Sequence, residues 1–261
     1  MSSQPYPRTW TEFLDQFSSE DACLAYLEGL RWPNGFICPS CGVASVPYRA
    51  SRIRMMCKDC GHQSTVTAGT IFDKTRTSLR VWLAAAWYLT HQKQGVSALG
   101  LQRVLGLGSY QTAWAMLHRF RRAMVRPDRD RLKGVPFVQA SVEPGTQVRT
   151  DGSAAYRSLA SLGYAHQRNV LLGADEPAHV TLAGVHRVAS LVKRWILGTH
   201  HGAVQPEHLD AYLDEFVFRF NRRTSGSRGM LFYRLLQQAV VTDPVTYADI
   251  VVPGPEQLVS A

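Results

Sequence analysis

Two cysteine pairs constrain this chain more than any other feature. Cys38-Pro39-Ser40-Cys41 and Cys57-Lys58-Asp59-Cys60 are separated by fifteen residues, and each pair is followed by a glycine, Gly42 and Gly61. A Cys-x-x-Cys turn aims two thiolates at one point, and the glycine lets the backbone bend so that amides face the sulfurs. Two such turns close a four-thiolate tetrahedron, a spacing and donor set that suit structural zinc. The stretch 43–56 has the length of a short hairpin, so the pairs predict a zinc ribbon. Two redox dithiols or disulfides are the alternative. No βαβ pattern surrounds either pair, and the chain reads as cytosolic, where persistent disulfides are rare. Cys23, the fifth cysteine, sits among Ala22, Leu24 and Leu27 and reads as a small buried residue.

Charge bounds the partner class. The formal net charge is +9, and four zinc-bound thiolates would leave the chain still basic. A pI near 9.6 points to nucleic acid, although charge alone does not separate DNA from RNA or from acidic proteins. The sequence has no apolar run near 18 residues and no charged-then-apolar leader, so a membrane-spanning or secreted protein is not expected. Its 261 residues, 45% hydrophobic, suffice for two small domains or one large one.

Upstream of the ribbon, Thr9–Arg31 reads as helical, with Ser18-Ser19-Glu20-Asp21 as an N-terminal signal in its middle. Downstream, β-branched Ser64–Ile71 reads as the last ribbon strand. Three helical stretches follow: Ser78–Gln92, Ser97–Leu105 and Ser109–Val125, the last two joined by Gly106-Leu107-Gly108. That turn has the size used in helix-turn-helix motifs. Ser109–Val125 would then be the recognition helix, with Tyr110, Gln111 and His118 as candidates for base edges. Arg119, Arg121, Arg122 and Arg126 are candidates for phosphates. Residues 119–133 hold seven basic and two acidic residues, the most positive stretch of the chain. A solvated helix face is the plainer alternative for these charges.

Pro127 and Gly134-Val135-Pro136 mark a boundary, beyond which the pattern turns α/β. Thr146–Thr150 and Asn169–Leu172 are candidate strands. Ala154–Gly163, His186–Leu197, Pro206–Arg223 and Met230–Val241 are candidate helices, and 253–261 a disordered tail. Asp151, at the carboxyl end of a strand and followed by Gly152, sits where a metal-binding carboxylate often stands; an Asx turn or helix cap is the alternative. His186 and Lys193, seven apart, share one helix face, though a lone histidine is more often a capping or core residue. The aromatic–basic alternation of 212–223 would suit DNA backbone contact, while aromatics at helical spacing more often form core. His200-His201 is set aside as a metal pair, because adjacent side chains point apart.

The segments Arg31-Trp32-Pro33-Asn34-Gly35-Phe36 with the two Cys pairs, Gly61-His62-Gln63 and Gly69-Thr70-Ile71-Phe72 resemble the N-terminal region of zinc-ribbon insertion-sequence DDE transposases. Thr150-Asp151-Gly152, His186-x3-Ser190-x2-Lys193 and Tyr212–Arg223 resemble their catalytic domain, and the likeness runs over most of 8–252. The resemblance implies an α+β multidomain chain: an N-terminal helix (1–33), the ribbon (34–73), a helix-turn-helix-like region (77–133) and a ribonuclease-H-like α/β domain (136–252). It implies Mg2+- or Mn2+-dependent phosphoryl transfer at DNA terminal inverted repeats, homo-oligomeric if functional, in the bacterial cytoplasm at the nucleoid. Asp151 matches the second acidic ligand, His186 the position of the third, and Lys193 a basic residue beside DNA. The first acidic ligand has no counterpart. In the family an acidic Val-Asp-Glu-type strand and two further strands precede the Pro-Phe-Val segment, whereas here Arg131–Val135 runs directly into Pro136-Phe137-Val138. The catalytic domain is therefore expected to be incomplete, with at most two strands, and defective in catalysis. A non-catalytic DNA-binding protein or repressor of transposition is the alternative.

Overall fold

Side-chain hydroxyls set the first helix boundaries in the computed structural model, which describes residues 6–51, 53–125, 142–170 and 177–251. Thr9 Oγ1 accepts from the Glu12 amide at 3.2 Å and starts α1 (Trp10–Gln16); Ser19 Oγ accepts from the Ala22 amide at 3.2 Å and starts α2 (Glu20–Arg31). The stretch expected as one helix is thus two, broken where the Ser19 cap satisfies an orphan amide. Strands β1 (Tyr48–Arg49), β2 (Arg54–Met56) and β3 (Gln63–Thr65) form an antiparallel sheet in sequence order, with Met55 opposite Ser64. The strand expected to run on to Ile71 stops at Thr65. Thr65 Oγ1 accepts from the Ala68 amide at 3.1 Å, Thr70 Oγ1 donates to Thr67 O at 2.7 Å, and Gly69 takes φ +70°. These local bonds turn the chain out of the sheet.

Helices α3 (Leu79–His91), α4 (Ala98–Leu105) and α5 (Tyr110–Met124) follow. Ser78 and Ser97 cap the first two, and Gly106 ends α4 in the left-handed region at φ +62°, a conformation that costs glycine little. Ser109 stands at the α5 cap position, but its hydroxyl instead donates to Gln111 Oε1 at 2.7 Å, so α5 starts without a side-chain cap. Next come β4 (Gln147–Thr150), β5 (Ala165–Arg168), α6 (Ala178–Thr181) and α7 (Ala183–His200), then α8 (Leu209–Asn221), α9 (Arg228–Ala239) and α10 (Tyr247–Val251). The long helix expected from Pro206 begins as a 3-10 turn, Pro206–His208, before α8. α9 starts two residues ahead of the expected Met230, and α10 follows it.

The chain divides into two units, one made of 1–125 with 203–261 and the other of 126–202. In the first, α5 is central and packs against α3, α4, α8 and α9. Residues 203–251, read from sequence as part of the segment 136–252, thus contribute α8 and α9 to the core that 6–125 begins. Phe13, Trp87 and Phe232 meet there, with ring centroids 5.4–6.0 Å apart, and Trp82 lies 5.3 Å from both Phe72 and Phe120. Such pairs add about 0.5–1.5 kcal/mol each beyond their area burial.

The second unit is sparse. β4 and β5 pair in parallel, from Gln147 opposite Ala165 to Thr150 opposite Arg168, and a 3-10 helix, Ala154–Leu159, replaces the α-helix expected over 154–163. β5 lies ahead of the strand expected at 169–172, of which 171–172 lie outside the described residues. It carries no β-branched residue, and its pairing with β4 defines it; Asn169 N still donates to Thr150 O at 2.8 Å. Leu159 and Tyr164 form a small core with Val142, Val148 and Tyr156. Parallel strands are normally covered on both faces, yet Gln147, Arg149, Ala165, Gln167 and Arg168 are exposed. Among the described residues this sheet has two strands. No described helix is long and apolar enough to cross a membrane.

Candidate zinc centre and nucleic-acid interface

The two Cys-x-x-Cys turns meet. Cys38 Sγ lies 3.7 Å from Cys60 Sγ, and Cys41 Sγ 3.8 Å from Cys57 Sγ, with all four sulfurs within 4.8 Å of one another. A tetrahedron with Zn–S near 2.3 Å has edges of about 3.8 Å, whereas a disulfide needs about 2.05 Å. No disulfide joins any of the five cysteines. The spacing therefore fits a tetrahedral ion and not the disulfide alternative. Each turn is built in the same way. Gly42 N donates to Cys38 O and Cys38 N to Val43 O; Gly61 N donates to Cys57 O and Cys57 N to His62 O, all at 2.9–3.0 Å. Gly42 and Gly61 both lie near φ +71°, the left-handed region that this turn requires. The amides of Cys41 and Ser40 facing the Cys38 sulfur bring that thiol down to about 6, while burial and the neighbouring sulfurs raise Cys41 and Cys60. The four sulfurs thus share protons that a bound metal would displace. Cys23 contrasts: burial pushes its thiol up to about 12, which suits an inert core residue. Arg31 ties the ribbon to α2 by donating to Thr65 O at 3.1 Å and Val66 O at 2.7 Å, with its guanidinium 4.8 Å from the Trp32 ring centroid.

The residues predicted to touch DNA separate into surface and core. Tyr110, Gln111 and Arg122 are exposed at the two ends of α5. Arg119 is half-buried, donating to Ile71 O at 3.4 Å over the Trp82 ring. Burial lowers its pKa and Asp73 opposes the shift. Arg126 lies outside the described residues. His118 and Arg121 are inside the fold, which corrects their assignment to base and phosphate contact. His118 packs tilted against Trp114 and edge-on to His208 and Tyr212, with ring centroids 4.2–5.6 Å apart. Arg121, 1% exposed, donates from Nε to Glu215 Oε2 at 2.9 Å, and Arg219 Nε donates to Glu215 Oε1 at 2.9 Å. Arg219 also donates to Leu89 O and Gln92 O at the end of α3, where helix carbonyls lack intrahelical partners. This Arg–Glu–Arg group joins α3, α5 and α8. Sequence reasoning missed Glu215; its signal was a carboxylate midway between Tyr212 and Phe218 on the buried stripe of α8.

Of the catalytic candidates, Asp151 is exposed, and its Oδ1 accepts from the Ser153 amide at 3.0 Å. This is the Asx turn that the sequence offered as the alternative to a metal ligand. His186 and Lys193 are exposed on α7. Among the described residues the four cysteines are the only group of three or more His, Cys, Asp or Glu side chains with ligand atoms close enough for one ion. Asp151 and His186 therefore belong to no such group there. The junction at 131–138 lies outside the described residues.

With this geometry in place, comparison with known proteins is informative. Residues 18–63 match the transposase zinc-ribbon domain family, and residues 93–221 match the ISXO2-like transposase domain family. Together these spans cover about two-thirds of the chain. A Halobacterium salinarum protein described as an uncharacterized protein in transposable element ISH50 is 33% identical over 152 residues. That match covers 56% of this chain and 50% of the relative, so the chain spans about half the relative's length. No solved structure matches the chain.

Proposed function

We propose that this chain, which belongs to the zinc-ribbon insertion-sequence transposases, binds the terminal inverted repeats of its element through a zinc-ordered N-terminal half and is defective in strand transfer. One contrast carries the reading. The four-sulfur centre and the α3–α5 helices are complete and packed, whereas Asp151 stands on a two-stranded sheet with its carboxylate in an Asx turn and with no ligand group around it among the described residues.

Cys38, Cys41, Cys57 and Cys60 would hold zinc with no open position for substrate, so the ion's work is structural. It orders the ribbon (34–73), and Arg31 passes that order to α2. In the helix-turn-helix-like region (77–133), Tyr110, Gln111 and Arg122 supply exposed contacts, base edges being met by the N-terminal end of α5. In the segment 136–252, Asp151, His186 and Lys193 take the family's roles of second acid, third ligand and DNA-holding base. Mg2+ or Mn2+ would supply activation of the attacking oxygen and stabilisation of the leaving one. One carboxylate and one imidazole are a poor set for two hard cations that prefer oxygen ligands. Such a protein would work in the bacterial cytoplasm at the nucleoid, homo-oligomeric where two ends are paired, and could repress transposition by occupying them.

The test is binding of the zinc-loaded protein to the element's terminal repeats across a salt series. Affinity falling steeply with salt, and falling again on Tyr110→Ala or Gln111→Ala for repeat DNA but not for random DNA, is the expected result. Equal affinity for repeat and random DNA in every variant would remove the end-recognition reading.

A further inference from the structure

A cavity of about 250 Å3 opens beside the start of α5, lined by the loop Lys74, Thr75, Arg76 and Thr77, by Trp82 and Met116, by Gln111, Thr112, Ala115 and Arg119, and by Tyr247. Its volume equals that of about eight liquid waters, ample for a phosphodiester and the edge of its sugar. Lys74, Arg76 and Arg119 give the lining three cations, and it contains no carboxylate. Asp73, just outside, is the acid whose field reaches Arg119.

Three further observations make this a built site. Lys74 sits at φ +51°, the left-handed region that a lysine rarely adopts. Thr75 Oγ1 fixes the loop in place: it accepts from Trp82 Nε1 at 2.8 Å and from the Thr77 amide at 3.1 Å. Arg119 is held half-buried in the wall, its Nη1 donating to Ile71 O at 3.4 Å. The wall at Gln111 and Thr112 is the first turn of α5, which has no side-chain cap. Its amides and the positive end of its dipole add to the attraction for an anion.

We propose that this cavity captures one DNA backbone phosphate, with Lys74, Arg76 and Arg119 as its cations, and so fixes the register of α5 on the duplex. The proposal deepens the DNA-binding reading and rests on it for the source of the phosphate. Phosphate contacts position a protein without reading sequence, so the cavity supplies register while the exposed Tyr110 and Gln111 meet base edges.

The test uses full-length, zinc-loaded protein, the double variant Lys74→Gln with Arg76→Gln, and a control of equal charge change, Arg80→Gln with Lys93→Gln, at exposed positions outside the lining. The first arm reads the melting temperature in inorganic phosphate against chloride at equal ionic strength. Phosphate exclusion stabilises all three proteins alike; site binding adds an increment that the Lys74/Arg76 variant loses and the control keeps. An identical increment in all three overturns the proposal. In the second arm, duplex binding across salt, the Lys74/Arg76 variant is expected to lose about 0.9 from the log–log slope, or about fivefold in affinity near 0.15 M salt, for any sequence. An unchanged slope overturns the phosphate site while leaving DNA binding standing. A positive first arm in a protein that binds no duplex supports the anion site and defeats the DNA-binding reading instead.

Discussion

Glu215→Ala is expected to be the most destabilising single substitution in the helical core. The carboxylate is fully buried and accepts from Arg121 Nε and Arg219 Nε, each at 2.9 Å. The two cations differ in what remains after its loss. Arg219, 13% exposed, keeps Leu89 O and Gln92 O as acceptors. Arg121 keeps only the Tyr212 ring, 3.9 Å from its guanidinium carbon, because its Nη atoms have no hydrogen-bond partner among the described residues. An uncompensated buried cation of this kind costs about 3–5 kcal/mol, a fall of about 6–20 °C in melting temperature for a unit of this size. Thermal and urea unfolding of the zinc-loaded protein read it directly. Glu215→Leu combined with Arg121→Met removes both buried charges, and should be more stable than Glu215→Ala by at least about 1 kcal/mol. If Glu215→Ala falls within about 1 kcal/mol of the parent, or the double variant is the less stable, the Arg–Glu–Arg group does not hold α3, α5 and α8 together as described.

Other outcomes follow from the same packing. Zinc removal by a chelator, or Cys41→Ser, should abolish amide protection over the ribbon, because metal binding supplies the folding energy of such modules. The helical circular dichroism should persist, since the small core around the cysteines shares no buried residue with the large one; loss of the helices along with the metal would contradict the separation. Gly229→Ala should destabilise the protein although alanine is the better helix former by about 1 kcal/mol. A Cβ there would collide with the Pro7 carbonyl and come within 2.6 Å of the Tyr6 ring, and overpacking costs about 1–3 kcal/mol; a gain in melting temperature would refute this contact. Arg122→Gln should weaken duplex binding and leave stability unchanged, whereas Arg121→Met should lower stability and leave the salt slope unchanged. The reverse pattern, read by salt-series binding and melting, would return Arg121 to the interface.

The zinc centre was fully legible because its geometry is local. Two residues between cysteines and a glycine after each pair suffice to build a knuckle, and both knuckles formed. The Ser78 and Ser97 caps and the Gly106 stop were legible for the same reason. Arg121 was not. In a run of basic residues it resembled Arg119 and Arg122, but it stands four after Leu117 and so shares that residue's buried face. Only its partner Glu215, 94 residues away, makes such burial tolerable. His118 was misread alike, one position from Leu117 yet walled in by His208 and Tyr212 of a distant segment. The position of β5 follows from pairing with β4, not from its own composition, so local propensity gave no signal at 165–168. At Asp151 the sequence left two readings open: the Asx bond to the Ser153 amide is formed, and it leaves the second carboxylate oxygen uncommitted to that turn.

The most direct measurement of the central claim is incubation of the zinc-loaded protein with terminal-repeat DNA in Mg2+ or Mn2+, followed on a denaturing gel beside a binding assay on the same samples. Salt-sensitive binding with no cleaved or joined strands is the predicted result. Cleavage or joining that disappears on Asp151→Ala would contradict it, and would mean that a working metal site assembles around Asp151.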